Sequence, residues 1–121
     1  LKVPLVLVDT CVVSELTRRQ PDPRVTSWFD RAFTQSFLSS PVVLELEAGL
    51  AAASDPSRTE KLRAVFDRIL RRFPPERRLV FDEVAASQAG KSIAAARREG
   101  RPLGVIDAQL IGIAAAVGCA V

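Results

Sequence analysis

The sequence contains no histidine, methionine or tyrosine, and only two cysteines among its 121 residues. The absence of histidine excludes Ser-His-Asp triads, Cys-His pairs and every zinc site with a histidine ligand. Two cysteines cannot supply a four-thiolate metal site, and they are too few for the disulfide framework of a short secreted protein. A metal ion bound by this chain would therefore need oxygen ligands, which favours Mg²⁺ or Mn²⁺.

Long uncharged apolar segments are also missing. The longest, residues 110–121, is shorter than the about 20 residues that span a bilayer. The apolar segment Leu1–Val8 lacks a basic n-region and runs directly into Asp9, which argues against a secretory signal peptide. We therefore expect a cytoplasmic protein with both thiols reduced. A hydrophobic content of 48% is enough for a packed core, so disorder is excluded.

Basic residues are concentrated in one part of the chain. Residues 1–55 carry 5 basic and 7 acidic side chains, whereas residues 56–101 carry 12 basic and 6 acidic ones. Most of the basic residues are arginines, which make bidentate contacts with phosphate, so the 56–101 segment suits a polyanion. An arginine-rich composition with solvated helix faces would give the same pattern, and the charge alone does not decide between the two interpretations.

Apolar runs and helical periodicities alternate along the chain. Strands are predicted at Leu5–Val8, Ser36–Ser39, Leu79–Phe81 and, as a beginning, Cys119–Val121. Helices are predicted at about 12–19, 23–33, 40–53 with Ser40 as the N-cap, 62–73, 83–99 with Asp82 as the N-cap, and 107–117. Strands that alternate with helices in this way indicate an α/β fold with a parallel sheet, in which ligands bind beyond the carboxyl ends of the strands.

Three acidic residues stand out because each is bordered by apolar or small residues. Asp9 closes an apolar strand, Glu45 has Ala48 and Gly49 three and four residues further on, and Asp107 begins an apolar helix. Each also has a purely structural explanation, as a helix cap, a surface glutamate or an acid that favours the helix dipole. Taken together, three carboxylates without histidine are what a hard divalent cation requires.

Other reactive residues carry less weight. Cys11 and Cys119 are predicted to be small core hydrophobes, because no base is available to activate them. Glu15 is expected to pair with Arg18 or Arg19, three and four residues along its helix.

Three segments in this order resemble PIN-domain ribonucleases, the VapC-like toxins of bacterial toxin–antitoxin pairs. They are Leu7–Leu16, Ser39–Gly49 and Gly100–Ala108. The stretch Arg19–Trp28 is similar to the FitB-like branch of that family. The resemblance implies a PIN-like domain with a central parallel sheet flanked by helices, and a Mg²⁺- or Mn²⁺-dependent endoribonuclease. It also implies a small antitoxin that blocks the site, and a homodimer.

The same resemblance assigns roles to the candidate residues. Asp9, Glu45 and Asp107 would be the catalytic residues and would hold the metal ion. The basic charge of the 56–101 segment, rather than the resemblance, predicts that RNA is guided by arginines of that segment, namely Arg71, Arg72, Arg77, Arg78, Arg97, Arg98 and Arg101.

The sequence departs from the family in two places. Cys11 stands where the family usually has asparagine. The family usually supplies a fourth acid after the last strand shown here, and the given sequence ends at Val121. We therefore expect residues 1–121 to be a single PIN-like domain with an incomplete C-terminal end.

Two other classes of function remain open. One is a binding module of the same fold with impaired catalysis, which both departures favour. The other is a receiver-like domain phosphorylated on Asp9, which ranks lower. That domain would need an acidic pair near the first strands and a lysine late in the chain, whereas the last lysine is Lys91.

Overall fold

The computed structural model describes residues 4–121, so the start of the apolar segment Leu1–Val8 lies outside the described residues. Three short strands alternate with six helices, which confirms the predicted α/β class with helices around a parallel sheet. The elements are β1 (Val6–Leu7), α1 (Thr10–Leu16), α2 (Pro23–Ala32), β2 (Ser36–Ser39), α3 (Ser40–Ala52), α4 (Pro56–Arg71), β3 (Arg78–Leu79), α5 (Glu83–Arg98) and α6 (Val105–Val117). Single turns of 3₁₀ helix precede β2 and β3.

The sheet has the order β1-β2-β3, with all pairs parallel. On the other side of β1, Ala120 forms a parallel bridge with Val6, which is the beginning of the strand predicted at the C-terminal end. Successive backbone amides at the end of β1 donate hydrogen bonds to the segments on its two sides. Leu7 N donates to Ala120 O at 2.6 Å, and Val8 N donates to Phe37 O at 3.0 Å. β1 is therefore flanked on both sides, and Asp9 follows this central strand after one further residue, Val8.

Two predicted boundaries around β2 and β3 are wrong. The N-cap of α3 is Ser39, not Ser40, and no side-chain hydrogen bond is found at this cap. Ser40 is the first helical residue, and its Oγ accepts a hydrogen bond from Phe81 N at 3.2 Å. β3 ends at Leu79 because that residue pairs with Ser39, the last residue of β2. Beyond it Val80 and Phe81 have no strand partner.

The first and last helices begin earlier than predicted. α1 starts at Thr10 because the Asp9 side chain caps it by accepting from Val12 N at 3.0 Å. α6 starts at Val105 after the extended residue Gly104, which places Asp107 in its first turn. The predicted Asp82 cap of α5 is confirmed, since its Oδ1 accepts from Ala85 N at 2.9 Å. Within residues 4–121 no helix is long and apolar enough to cross a membrane.

The core lies between the sheet and the helices. Its largest fully buried side chains come from β1, α2, α6 and the segment after α4, and include Leu7, Phe29, Phe73 and Ile113. Phe33 completes an aromatic cluster, with its ring 5.4 Å from that of Phe29 and 5.1 Å from that of Phe73. The Phe29 and Phe33 rings are edge-on to each other, and both are tilted against Phe73, so the cluster fixes α2 against the end of α4 through apolar contact.

Only one of the two cysteines behaves as predicted. Cys119 is half-buried against the core, and burial raises the pKa of its thiol, as expected of a structural cysteine. Cys11 is exposed, so its prediction as a core residue is wrong. The inward face of α1 is formed instead by Val13, which is fully buried, and Cys11 lies two positions away on the solvent side of the helix.

α5 and α6 pack as an antiparallel hairpin. Gly112, in the second half of α6, lies against Ala85 and Ala89 in the first half of α5. After α6 the chain turns at the left-handed Gly118 and enters the sheet at Ala120, parallel to β1. α6 therefore approaches the sheet from the amino side with its C-terminal end. Its N-terminal end, about 20 Å away for 13 residues, lies toward the carboxyl edge together with the end of α5.

Candidate active site

Asp9 lies at the carboxyl edge of the central strand. It is half-buried, and its backbone is extended, with φ −92° and ψ 172°. One carboxylate oxygen, Oδ1, accepts a hydrogen bond from Val12 N at 3.0 Å. Within the described part of the chain no hydrogen bond reaches Oδ2. The structural and the functional interpretations of Asp9 are therefore compatible, because the cap uses one oxygen and leaves the other available to a ligand.

Glu45 is held beside the start of α1 although 35 positions separate it from its partner in sequence. The Thr10 hydroxyl donates a hydrogen bond of 2.6 Å to Glu45 Oε1. Thr10 is the residue that follows Asp9, so this contact brings the second candidate acid to the edge at which the first one lies. The small residues Ala48 and Gly49 lie on the exposed side of α3 near Glu45, as the sequence predicts.

Asp107 occupies the first turn of α6 and is exposed. Its Oδ2 lies near Gly104, 3.7 Å from the position that a Cβ of Gly104 would take. The direction of the α5–α6 hairpin places Asp107 toward the carboxyl edge, and α6 also packs against α3, which carries Glu45. No hydrogen bond or ion pair involves the Asp107 carboxylate among residues 4–121, so both of its oxygens are free.

The donor atoms at this edge suit a hard divalent cation, because they are carboxylate and hydroxyl oxygens without nitrogen or sulfur ligands. Among residues 4–121, however, no group of three or more acidic or cysteine side chains stands close enough together to hold an ion. The structure joins Asp9 and Glu45 through Thr10 and places Asp107 at the end of a helix nearby. A shared ion would have to draw the three carboxylates closer together than they stand.

Four of the seven predicted RNA-binding arginines lie away from this edge. Arg77 donates to the carbonyl oxygens of Phe33 and Ser36, at the amino end of β2, and stacks over the Phe33 ring at 4.4 Å. Arg72 lies over the Phe29 and Phe33 rings, 4.3 Å from the centre of the Phe33 ring. It also pairs with Asp30 at 3.6 Å. These guanidinium groups are occupied by contacts within the chain.

Arg71 and Arg78 both lie near the C-terminal end of α4, although Arg78 belongs to β3. Arg78 donates to the carbonyl oxygens of Phe73 and Leu70, at 2.9 Å and 2.6 Å, and so connects β3 to the end of α4. Arg71 is the last residue of that helix and is exposed. The fold therefore separates arginines that are neighbours in sequence, and four of the seven do not lie with the acidic residues.

The remaining three arginines lie on the side of the acidic residues. Arg97 and Arg98 form the last turn of α5, and Arg101 follows in the loop that leads to α6. All three are exposed, and Arg101 pairs with Glu99. Because the α5–α6 loop and the start of α6 are adjacent, these arginines lie at the same end of the hairpin as Asp107.

Sequence reasoning missed Thr10 as a site residue. The signal was the hydroxyl of the residue directly after Asp9, at a strand–helix junction. The side chain at this first helical position faces the helix that follows the neighbouring strand. It could not be assigned a partner from sequence, because the partner lies on α3. The predicted pairing of Glu15 with Arg18 is confirmed at 3.3 Å, so that acid is engaged locally.

Comparison with known proteins agrees with this architecture. The family model described as PIN domain matches residues 6–121. The plasmid stability protein StbB of Pseudomonas syringae pv. tomato is 33% identical over 115 residues, which cover 94% of this chain and 83% of that protein. The VapC ribonuclease Y4jK of Sinorhizobium fredii is 32% identical over 119 residues, with 94% and 82% covered.

A solved structure has the same fold. The crystal structure of FitAcB from Neisseria gonorrhoeae superposes with a TM-score of 0.83 at 29% sequence identity. The match covers 94% of this chain and 83% of that one. A family match over nearly the whole chain, relatives above 30% identity and a shared three-dimensional structure lead to one conclusion: the chain belongs to the PIN-domain family.

Proposed function

We propose that this protein is a Mg²⁺- or Mn²⁺-dependent endoribonuclease and acts as the toxin of a toxin–antitoxin pair. The observation that carries the proposal is the junction at the carboxyl edge, where Thr10 links the segment of Asp9 to Glu45. A relative named as a VapC ribonuclease, 32% identical along 94% of this chain, supports the same chemistry. Residues 1–121 would form one PIN-like domain that acts on RNA in the cytoplasm.

The proposed ion would be held by Asp9, Glu45 and Asp107. When bound, a divalent ion lowers the pKa of a coordinated water and offsets negative charge at phosphorus. The chain's own residues set the geometry around it. The Asp9 carboxylate is oriented by its cap contact with Val12 N, and Glu45 is oriented by the Thr10 hydroxyl. Asp107, which is exposed and unbonded within the described chain, supplies the third carboxylate.

RNA would approach from the side of the α5–α6 loop. Arg97, Arg98 and Arg101 are exposed there and are the predicted arginines nearest to Asp107 along the chain. Their charges would attract the phosphate backbone toward an edge that is otherwise acidic, and bidentate contacts would fix its course. Since Arg72, Arg77 and Arg78 are engaged in contacts within the chain, they contribute to the fold rather than to this surface.

The partners proposed are an antitoxin and a second copy of the chain. A small antitoxin that covers the acidic edge would block access of RNA, and the toxin would form a homodimer. The relative named a plasmid stability protein is consistent with such a system. Light scattering of the full-length protein would test the homodimer. Expression of the protein alone should arrest growth, and coexpression of the small protein encoded beside it should restore growth.

The decisive experiment is cleavage of single-stranded RNA by the purified protein in Mg²⁺ or Mn²⁺. Cleavage should disappear with EDTA and return when the metal is restored. Asp107→Asn should abolish it, whereas Glu83→Gln is a matched control, because Glu83 is also an acid in the first turn of a helix but lies at the other end of the hairpin. Metal-independent cleavage, or equal loss in both variants, would contradict the proposal.

A second candidate is a PIN-like module that binds RNA or protein without cleaving RNA. It is favoured by Cys11 in place of the family's usual asparagine, and by the absence of a preassembled group of three acidic ligands among residues 4–121. RNA binding with no cleavage in either metal would support this candidate. Restoring asparagine in Cys11→Asn would then show whether that residue accounts for the difference.

A further inference from the structure

A half-open cavity of about 210 Å³ lies directly beside Glu45, between α1, α3 and α4. One wall is formed by hydroxyl-bearing residues of α1 and its C-cap, namely Thr10, Ser14 and Thr17. The Thr10 and Thr17 hydroxyls are engaged, since Thr10 bonds Glu45 and Thr17 donates to the backbone oxygen of Ser14. The Ser14 hydroxyl has no hydrogen-bond partner within residues 4–121 and is exposed, so it is free to serve a ligand.

The opposite wall and the floor are apolar. They are formed by Leu46 and Leu50 of α3 together with Leu62 and Phe66 of α4. Phe66 is almost completely buried and lines the cavity. The cavity thus combines an apolar floor and a polar rim, and its rim is shared with the candidate active site through Glu45 and Thr10.

Gly49 lines this cavity without contributing a side chain to it. A Cβ added at Gly49 would meet no heavy atom within 4 Å, so no close approach of another element requires glycine there. Its backbone is that of an ordinary helix residue in α3, and the positive φ angles in residues 4–121 belong to Gly100 and Gly118. Glycine in a helix interior is less stable than alanine, so the fold gains nothing from it. The absence of a side chain at Gly49 leaves space in the cavity that this residue lines.

We propose that this cavity is a nucleobase subsite, which receives the base of the RNA nucleotide next to the phosphate held at Asp9 and Glu45. The inference rests on the proposed ribonuclease function and adds to it a binding determinant, Gly49. A cavity of about 210 Å³ suits one flat heterocycle, and it is smaller than the about 300–1,000 Å³ of pockets that take drug-sized ligands.

The chemistry of the walls favours a base over other parts of RNA. A nucleobase has two apolar faces, which can lie on Leu62 and Phe66, and a polar edge, which can reach the Ser14 hydroxyl. A phosphate would be repelled by Glu45 unless an ion lay between them, and a ribose would leave the apolar floor without contact. Single-stranded RNA is recognised mainly through splayed bases that stack in this way.

The proposal is tested by filling the cavity from Gly49. Gly49→Leu places a side chain into the cavity, and Gly90→Leu is its matched control. Gly90 is also a helix glycine whose Cβ would meet no heavy atom within 4 Å, but it lies on the exposed face of α5. With a single-stranded RNA whose cleavage position has been mapped, Gly49→Leu should lower kcat/KM by about tenfold or more, the effect of losing one stacked base. Gly90→Leu should cleave like the wild type.

An abasic substrate then assigns the effect to the base. Wild-type protein should lose about the same factor when one nucleotide flanking the cleaved bond lacks its base, and Gly49→Leu should lose nothing further on that substrate. Stabilisation of both variants by Mn²⁺ should equal that of the wild type, which shows that the metal site is intact. If the losses of kcat/KM caused by Gly49→Leu and by the abasic substrate multiplied, the base subsite would be wrong. It would also be wrong if Gly49→Leu caused no loss.

A binding experiment keeps the subsite testable apart from cleavage. A trinucleotide that contains 2-aminopurine should change its fluorescence on binding to wild type and to Gly90→Leu but not to Gly49→Leu. Failure of RNA cleavage with this pattern intact would reject the ribonuclease and retain the base subsite. If Gly49→Leu left both RNA experiments unchanged but abolished antitoxin binding, the cavity would be a protein-docking site and the proposal would be wrong.

Discussion

The Thr10 hydroxyl donates a 2.6 Å hydrogen bond to Glu45 Oε1 and thereby ties the start of α1 to the second turn of α3. The two helices follow neighbouring parallel strands, α3 directly and α1 after two residues, so this contact closes the carboxyl edge of the sheet where β1 and β2 meet. A carboxylate with one oxygen fixed in this way has its remaining lone pairs aimed in a defined direction. Such preorganisation lowers the cost of binding an ion, because less side-chain freedom is lost.

Replacing Thr10 with valine should separate this positioning role from stability. Valine keeps the shape of the threonine side chain but removes the hydroxyl. The free energy of unfolding should therefore fall by about 0.5–1.5 kcal/mol, the usual net value of one hydrogen bond. Mn²⁺ should stabilise Thr10→Val less than the wild type, and Thr10→Ser should recover the effect. Urea melts with and without Mn²⁺ measure both quantities. Equal stabilisation by Mn²⁺ in Thr10→Val and the wild type would show that Thr10 does not orient the site.

The elements of this fold could be predicted because local sequence determines them. Ser36–Ser39 is found as predicted, and prolines stand in the first turns of α2, α3 and α4, where a missing backbone N–H costs nothing. The end of β3 could not be predicted from its own residues, because the ladder stops where β2 stops. Strand length is thus a property of the partner as much as of the sequence.

The site was only partly predictable for the same reason. Asp9, Glu45 and Asp107 were singled out by their apolar or small neighbours, which is a local signal. The contact from Thr10 to Glu45 and the division of the arginines between two ends of the molecule depend on how helices pack. Arg77 was indistinguishable from Arg97 by charge, but the aromatic cluster and the carbonyls around it give Arg77 a structural role.

The close packing of α5 on α6 predicts that Gly112 cannot carry a side chain. A Cβ there would overlap the carbonyl oxygen of Ala85 and would lie 2.9 Å from the Cβ of Ala89. Gly112→Ala should therefore destabilise the fold by about 1–3 kcal/mol, as overpacked cores do. Gly90→Ala, where the added Cβ meets nothing, should instead stabilise it by about 0.5–1 kcal/mol. Thermal melts of the two variants should shift in opposite directions, and a shift in the same direction would contradict the packing argument.

The ion pair between α3 and α4 predicts a pH dependence of stability. Arg63 donates two hydrogen bonds of 2.6 Å to Glu47, and these, followed by the attraction of opposite charges, lower the pKa of Glu47 below its ordinary value of 4.5. Because the folded-state pKa is the lower one, this stabilisation is fully present above pH 4.5 and is lost as the pH falls through the lowered pKa.

Glu47→Gln should therefore lose less stability than the wild type as the pH is lowered below 4.5. Asp22, whose pKa is lowered by its hydrogen bond from the Arg24 side chain, titrates in the same direction but is present in both proteins, so it does not affect the difference. Urea denaturation at pH 7 and at pH 3 measures the effect. Glu60→Gln is the control, since that exposed glutamate has no ion-pair partner within residues 4–121. Identical pH profiles of Glu47→Gln and the wild type would show that solvent screens the pair completely.

The arrangement of arginines predicts which charges affect RNA binding. Replacing Arg97, Arg98 and Arg101 with alanine should weaken binding and reduce the slope of log K against log salt by about 2, because each phosphate contact to a single strand contributes about 0.7. The control removes three exposed arginines elsewhere, Arg19, Arg31 and Arg71, and changes the net charge equally. Filter binding over a range of NaCl concentrations gives both slopes. Equal effects of the two triple variants would mean that net charge alone attracts RNA.

The metal site leads to a prediction about Asp107 that concerns stability as well as activity. Asp107 is exposed and makes no hydrogen bond or ion pair within the described chain, so Asp107→Asn should leave the metal-free protein about as stable as the wild type. A ligand that binds only the folded state stabilises it by about 2.7 kcal/mol at a hundredfold excess over its Kd. Mn²⁺ should therefore raise the melting temperature of the wild type, and most of that rise should be missing in Asp107→Asn.

This combination distinguishes a ligand from a helix-dipole acid. An acid in the first turn that merely interacts favourably with the dipole contributes about 0.3–1 kcal/mol with or without metal, so its loss would lower the melting temperature equally in both conditions. A metal ligand contributes to stability only when the ion is present, so its loss lowers the melting temperature only in Mn²⁺. Glu83→Gln, in the first turn of α5, provides the dipole effect for comparison. If Asp107→Asn behaved like Glu83→Gln in Mn²⁺, Asp107 would be a structural acid, and the proposed ion would have to be held by Asp9 and Glu45 without it.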